Sequence, residues 1–204
     1  MKKIVITGGP CAGKTTVVEF LREELQTEAI FVPEAATMLL SGGFPPPPEG
    51  QFLGEEQFNV WMQQFQAAVY HTQIALEDLA MSEAERGNKS LILHDRARAD
   101  VIAYHPHGLA GFIFQFHINA PSIHAHYDMV IFLESLAVGQ PEMFGRFGNE
   151  HRYESLEHAI EANARTRRAW YTHPNFRTID SRLSLQEKTI QVRELIIQTM
   201  KEGE

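Results

Sequence analysis

The stretch that decides the fold is residues 8–15, Gly8-Gly9-Pro10-Cys11-Ala12-Gly13-Lys14-Thr15, which matches the pattern G-x-x-x-x-G-K-[ST]. Glycines let such a backbone curl until successive N–H groups face inward and form an anion-binding nest. The stretch follows a short β-branched run and opens a helical pattern, so the positive end of a helix dipole adds to the same field. The sequence therefore predicts a nucleotide-binding loop between a first strand and a first helix.

Residues of this loop have distinct predicted roles. Lys14 is expected to bridge the β- and γ-phosphates of ATP, and the Thr15 hydroxyl to ligate Mg²⁺. Cys11 is interpreted as a filler residue, because neither a base nor an acyl substrate is visible that would make it a catalytic thiol. The predicted nucleotide contacts are Gly8, Gly9, Pro10, Cys11, Ala12, Gly13, Lys14, Thr15 and Thr16.

Length and composition favour a single domain over residues 1–204. Of the 204 residues, 44% are hydrophobic and 22% charged, a balance that can bury a core. No apolar run approaches the roughly 18 residues that a membrane-spanning helix needs. A lone cysteine excludes an internal disulfide. We therefore expect a cytoplasmic protein without a membrane partner.

The charge balance argues against nucleic acid as the partner. Lys and Arg together number 18, Asp and Glu 26, so the formal net charge is −8. A net acidic surface repels a phosphate backbone. A nucleic-acid-dependent ATPase is therefore disfavoured.

Hydrophobic periodicity predicts strands that alternate with helices. The predicted strands are 2–8, 30–34, 90–95, 128–134 and 176–181. The predicted helices are 15–26, 55–86, 153–171 and 184–200, with 105–127 unassigned. Within 55–86, the stripe that keeps the 3.6-residue spacing of a helix is Phe58, Met62, Phe65, Val69, Thr72, Leu76 and Leu79. This alternation predicts an α/β fold with a parallel sheet covered on both faces.

Two predicted site segments follow strands, at the sheet edge where α/β folds carry chemistry. Asp95 ends the strand SLILHD and is expected to meet Mg²⁺ through water or to orient the reacting group. Arg96 would then face phosphates, although an ordinary surface Asp-Arg pair fits the same residues. Glu34 in VPEAA is a candidate acceptor of a proton from a substrate hydroxyl. A helix N-terminal Glu that the helix dipole stabilises fits the same position.

A third predicted site is a lid at about 139–152. Arg146 and Arg152 lie in or beside this glycine-containing segment. We expect the lid to bring their guanidinium groups onto the transferring phosphoryl group. A plain solvated loop fits the same composition.

Two weaker patterns involve aromatic and histidine side chains. An aromatic group either walls an acceptor pocket or belongs to the core. Its members are Tyr104, Phe112, Phe114 and Phe116. The histidine pairs at 105 and 107 and at 124 and 126 lack the spacing of zinc ligands, and we interpret them as loop histidines.

The order of the main segments resembles the P-loop kinases of nucleosides and nucleotides. It is still more similar to the small AAA-type ATPase family that contains the ribosylnicotinamide kinase domain of NadR. The matching segments, in chain order, are VITGGPCAGKTT, VPEAA, LILHDRARAD and YDMVIFLE. The resemblance implies a three-layer P-loop NTPase fold with a five-stranded parallel sheet in the order 2-3-1-4-5 and Mg-ATP at residues 8–15. It also implies a base after strand two and an acidic-Arg pair that holds substrate after strand three, the places of Glu34, Asp95 and Arg96.

Two hypotheses of function follow. In the first, the chain is a kinase that transfers the γ-phosphoryl group of Mg-ATP to a hydroxyl of a small, nucleoside-like acceptor. Glu34 or Asp95 would take the hydroxyl proton, and Arg146 or Arg152 would cover the transferring group. In the second, the chain is a regulatory module that binds ATP, hydrolyses it slowly and has no acceptor. Only a kinase consumes ATP fast when the right acceptor is added.

Overall fold

A computed structural model describes residues 1–47, 55–144 and 155–202 and contains a five-stranded sheet. The strands are β1 (Lys2–Gly8), β2 (Ala29–Val32), β3 (Leu91–Asp95), β4 (Met129–Leu133) and β5 (Phe176–Ile179). They lie in the order β2-β3-β1-β4-β5, and every neighbouring pair is parallel. The α/β class and the strand order expected from the sequence are confirmed.

Helices occupy much of the chain between these strands and after the last one. They are α1 (Lys14–Glu24), α2 (Ala35–Ser41), α3 (Glu55–Arg86), α4 (Asp100–Tyr104), α5 (Gly108–Phe116), α6 (Ala120–His124), α7 (Leu136–Gly139), α8 (Leu156–Trp170) and α9 (Leu185–Lys201). The bounds of α3 agree with the predicted helix. Helix α9 begins with a capping box, in which the side chains of Ser184 and Glu187 each bond the other residue's backbone N–H.

The sheet separates two apolar cores because side chains alternate between the faces of a strand. On β1, Ile4 and Ile6 pack into the core formed with α1 and α9. Val5, between them, packs on the other side in a core that includes Phe112 and Trp170. Strands with near-continuous apolar runs are therefore covered by helices on both faces, which confirms the predicted layers.

The buried face of α3 differs from the predicted apolar stripe. Phe58 and Leu79 are exposed, with 42% and 55% of their surface accessible. The residues that α3 buries are Phe65, Gln66, Tyr70, Gln73, Glu77, Ala80 and Ala84. Burial of Gln73 and Glu77 is tolerated because the Gln73 amide donates to Glu77 Oε1 at 3.1 Å. The stripe and the buried face overlap, since Phe65 is buried and Val69 and Leu76 pack against the core. Periodicity located the helix but did not reveal its buried polar side chains.

Two other stretches also differ from the expectation. The unassigned residues 105–127 contain α5 and α6. The lid predicted at about 139–152 begins with the end of α7 and a 3₁₀ turn over Pro141–Met143. Its residues from 145 onward lie outside the described residues. Crossing a bilayer takes a length and an apolar character that none of the described helices combines.

Ile131 on β4 tests how much stability the sheet core supplies. Its side chain has 0% of its surface exposed, so Ile131→Ala removes packed methyl groups and leaves a cavity. We expect the free energy of unfolding to fall by about 2–5 kcal/mol. Ile190→Ala on α9 is the matched control, because Ile190 is 47% exposed; its effect should stay within about 0.5 kcal/mol. Urea unfolding measures both variants, and equal losses would contradict the proposed core.

Candidate functional site

The loop of residues 8–15 lies at the carboxyl edge of the sheet. It joins β1 to α1, and β1 lies between β3 and β4, where the strand order reverses. Gly13 precedes α1 with a φ of 88°, in the left-handed region that favours glycine. Thr15 and Thr16 are exposed on the first turn of α1. The strand-loop-helix context that the motif requires is therefore present.

Three residues predicted from separate segments, Glu34, Asp95 and Arg96, come together beside Lys14 of this loop. Asp95 is paired with Ile6 of β1 in the register of the parallel sheet. Arg96 Nε donates to Glu34 Oε1 at 2.6 Å. The charges of Glu34, Asp95 and Arg96 all act on Lys14. The sheet thus assembles a site from residues that are up to 82 positions apart, 96 − 14 in sequence number.

Glu34 is held by side-chain contacts, and its carboxylate does not cap the helix that follows it. It lies two residues beyond β2, at the position before α2, and makes no side-chain cap bond. Its carboxylate accepts the Thr37 hydroxyl at 2.8 Å as well as the Arg96 guanidinium. Burial opposes ionisation, but the charges of Arg96 and Lys14 and these hydrogen bonds outweigh it and lower the pKa of Glu34 to about 2. The carboxylate is therefore ionised at neutral pH.

In Asp95 and Lys14, unlike in Glu34, burial sets the direction of the pKa shift, which is towards the neutral form. Burial raises the pKa of Asp95, and the charges of Glu34 and Asp100 act in the same direction. Burial lowers the pKa of Lys14, as does the charge of Arg96. Asp95 Oδ1 is buried and has no hydrogen-bond partner within the described ranges. An oxygen in this state fits a bound cation or its water, and Mg²⁺ prefers such oxygen ligands.

Asp100 is a central residue of the site that the sequence analysis missed. It is 4% exposed and accepts hydrogen bonds from the Thr7 hydroxyl, Arg96 Nη1 (3.2 Å), the Ala97 N–H (3.0 Å) and Trp170 Nε1 (3.1 Å). Four donors balance the buried carboxylate and fix the far end of the Arg96 guanidinium. The available signal was an acidic residue only four positions after Arg96, close enough in the chain to reach it.

The aromatic group divides between the core and the site. Phe112 is fully buried, and its ring centroid lies 4.8 Å from that of Phe116, so this pair belongs to the core. Phe114 is 80% exposed. Tyr104 lies at the site, since the Arg96 guanidinium carbon is 5.5 Å from the centroid of its ring.

A second polar cluster lies between α3 and the sheet. Glu77 accepts the Tyr127 hydroxyl at 2.9 Å, and its other oxygen lies 2.8 Å from Arg98 Nε. Burial, with the charges of Lys3 and Arg98, lowers the pKa of the adjacent His94 to about 3, so its imidazole is neutral at physiological pH. The Gln73 amide, which bonds Glu77, also reaches the Arg96 carbonyl at 3.5 Å. The cluster thereby supports the segment that carries Arg96.

Other predicted residues contribute less or are not described. Arg146 and Arg152, with positions 145–154, lie outside the described residues. His105 Nε2 lies 2.9 Å from the Gln115 amide oxygen, and His124 Nε2 lies 2.8 Å from the Ala169 carbonyl. Both histidines thus have protein partners. Across the described ranges, no group of three or more His, Cys, Asp or Glu residues forms a candidate metal cluster.

Comparison with known protein families finds a match that spans the whole candidate site. A family model described as an AAA domain matches residues 3–188 of the 204. The match contains the nucleotide loop together with Glu34, Asp95 and Arg96. No curated protein gives a significant match to the chain.

The pairing of Glu34 makes part of the stability depend on pH. Its pKa in the folded chain, about 2, is below the ordinary 4.5, so the ionised form stabilises the fold above pH 4.5. That contribution is lost as the pH falls from 4.5 towards 2. We expect the wild type to exceed Glu34→Gln in free energy of unfolding by about 1–3 kcal/mol at neutral pH, with the difference shrinking over that range.

Urea unfolding at a series of pH values measures this difference. Glu85→Gln is the matched control, because Glu85 is exposed on α3. A difference between wild type and Glu34→Gln that stays constant from pH 5 to pH 2 would contradict the ion pair with Arg96.

Proposed function

The chain belongs to the AAA domain family, and on that premise we propose that it is a Mg-ATP-dependent phosphotransferase acting on a hydroxyl of a small, nucleoside-like acceptor. The observation that carries the proposal is the Glu34–Arg96 pair beside Lys14. A carboxylate oxygen and guanidinium N–H groups in contact offer one hydroxyl both an acceptor and a donor. A regulatory module, by contrast, has no acceptor hydroxyl for this pair to bind.

The proposed nucleotide site uses the loop backbone and Lys14. The N–H groups of the loop bind the phosphate oxygens, and Lys14 offsets the charge that shifts between the β- and γ-phosphates. Thr15, and Asp95 through water, would hold Mg²⁺, which offsets phosphate charge when bound. The desolvated ammonium of Lys14 interacts more strongly with an anion than a hydrated one would.

The proposed transfer forms a bond between the acceptor oxygen and the γ-phosphorus and breaks the bond from that phosphorus to the β-γ bridging oxygen of ATP, releasing ADP. The proton of the acceptor hydroxyl passes to the Glu34 carboxylate. A carboxylate with a pKa of about 2 is a weak base, but proton removal is late in a loose phosphoryl transition state. The main task of Glu34 is therefore to orient the hydroxyl, with Arg96 beside its oxygen.

The acceptor class rests on two further features. Tyr104 places a partly buried aromatic ring beside Arg96, at the edge of the site. The sequence resemblance to the family of the ribosylnicotinamide kinase domain of NadR also favours a nucleoside. The expectation that Arg146 and Arg152 approach the transferring group stays a prediction.

ADP release from Mg-ATP, measured against a panel of nucleosides that includes nicotinamide riboside, tests the function directly. A no-acceptor sample is the control. We expect one acceptor to raise ADP release far above that control. A flat panel with clear ATP binding would contradict the kinase and favour a regulatory module.

Glu34→Gln separates binding from transfer. The amide keeps the size of the side chain but lacks the charge that orients the hydroxyl and accepts its proton, so we expect unchanged ATP affinity and a fall in kcat of about 10²–10⁴. Asp95→Asn, assayed in parallel, tests the second candidate base. Normal transfer by Glu34→Gln, with transfer lost in Asp95→Asn, would assign the base to Asp95 instead.

Lys14→Ala tests the phosphate loop itself. Loss of a cation aimed at developing charge is expected to lower ATP turnover by at least about 10²-fold and to weaken nucleotide binding. Lys201→Ala, at the exposed end of α9, is the control for loss of a positive charge. Retained turnover in Lys14→Ala would contradict the assignment of residues 8–15.

A further inference from the structure

Two buried side chains contact the nucleotide loop through its carbonyl groups. Ser135, in the turn after β4, donates its hydroxyl to the Pro10 carbonyl at 2.5 Å. Lys188 on α9 donates its ammonium to the Ala12 carbonyl at 3.3 Å. Ser135 is 0% and Lys188 3% exposed. Neither residue belongs to the loop motif, and Lys188 lies 176 positions from Ala12.

The direction of these carbonyls determines the direction of the next N–H groups. All described peptide bonds are trans and planar, so a carbonyl and the N–H that follows it point in opposite directions. The Pro10 and Ala12 carbonyls point towards Ser135 and Lys188. The N–H groups of Cys11 and Gly13 therefore point away from these two side chains. In a curled loop this is the concave side, where phosphate oxygens bind.

Burial of the Lys188 ammonium costs free energy, and its hydrogen bond to the loop offsets part of that cost. Burial lowers the pKa of its ammonium, while the charges of Asp180 and Glu134 favour the charged form. A lysine that made no such bond could stay hydrated at the surface, whereas Lys188 is buried and bonded to the loop. Its amino group donates to the Ala12 carbonyl in either protonation state. When charged, it also adds positive potential behind the nest.

We propose that Lys188 is a positioning residue of the nucleotide site, which together with Ser135 holds the loop so that the Cys11 and Gly13 N–H groups face the phosphates. It acts through the loop backbone and does not touch the nucleotide. The inference rests on the nucleotide binding in the proposed function and is independent of the acceptor.

Lys188→Met tests the inference in the full-length chain, because methionine keeps most of the side-chain length and lacks a donor. Calorimetry gives the Kd for Mg-ATP and for adenosine, which has no phosphates. A hydrogen bond from a charged group is of the size that should weaken Mg-ATP binding about 10- to 100-fold on removal. Adenosine binding should not change.

Val192→Ala is the matched control on the same helix. Val192 is fully buried in the core between α9 and the sheet, so its truncation destabilises the fold without removing a bond to the loop. We expect Val192→Ala to lower the denaturation temperature and leave the Kd for Mg-ATP unchanged. A purely structural role of Lys188 would make the two variants behave alike, and that outcome would overturn the inference.

Ser135→Ala is the second variant and decides the matter if Lys188→Met does not fold. It should also weaken Mg-ATP relative to adenosine, and unchanged affinity would overturn the inference. If the wild type itself does not bind Mg-ATP, the proposed function fails, and the inference fails with it. Wild-type binding with unchanged affinity in both variants overturns the inference alone.

Discussion

The hydrogen-bonded ion pairs of Arg96 are the interaction on which the rest of the site depends. The guanidinium contacts Glu34 on one side and Asp100 on the other. Glu34 follows β2, Asp100 begins α4, and Arg96 itself follows β3, so one side chain joins three segments. Buried charges are costly when unpaired, and removal of one partner leaves the others uncompensated. The site is therefore a structural connection as well as a candidate catalytic centre.

Opposite charges offset one another in the site, which allows its buried ionisable side chains to lie close together. Lys14 and Arg96 supply two positive charges at the carboxyl edge of β1 and β3, against three carboxylates, Glu34, Asp95 and Asp100. Asp100 has its own set of donors, and Glu34 is paired, which leaves Asp95 with a buried oxygen that no described residue satisfies. The distribution favours binding of a polyanion together with a cation, as a metal-nucleotide complex provides.

Much of the scaffold followed from the sequence, and two of the misses share one physical cause. The bounds of α3 and the loop of residues 8–15 depend on local patterns, and the structure agrees with them. Gln73 and Glu77 on the buried face of α3 were not predicted, because they are buried through hydrogen bonds that no periodicity records. Asp100 was missed for the same reason, since its donors include Thr7 and Trp170, far from it in sequence.

The sequence by itself determined the nucleotide loop, the five strands and the four longest described helices, because backbone curling and apolar runs act over a few residues. Only the tertiary structure decided which charges meet. The ionised state of Glu34 arises because β2 and β3 are neighbours in the sheet, which places Arg96 against it. The contact of Lys188 with the Ala12 carbonyl likewise requires α9 to pack beside β1. Electrostatic and hydrogen-bonding energies depend on distance in space, and the fold alone sets that distance for residues far apart in the chain.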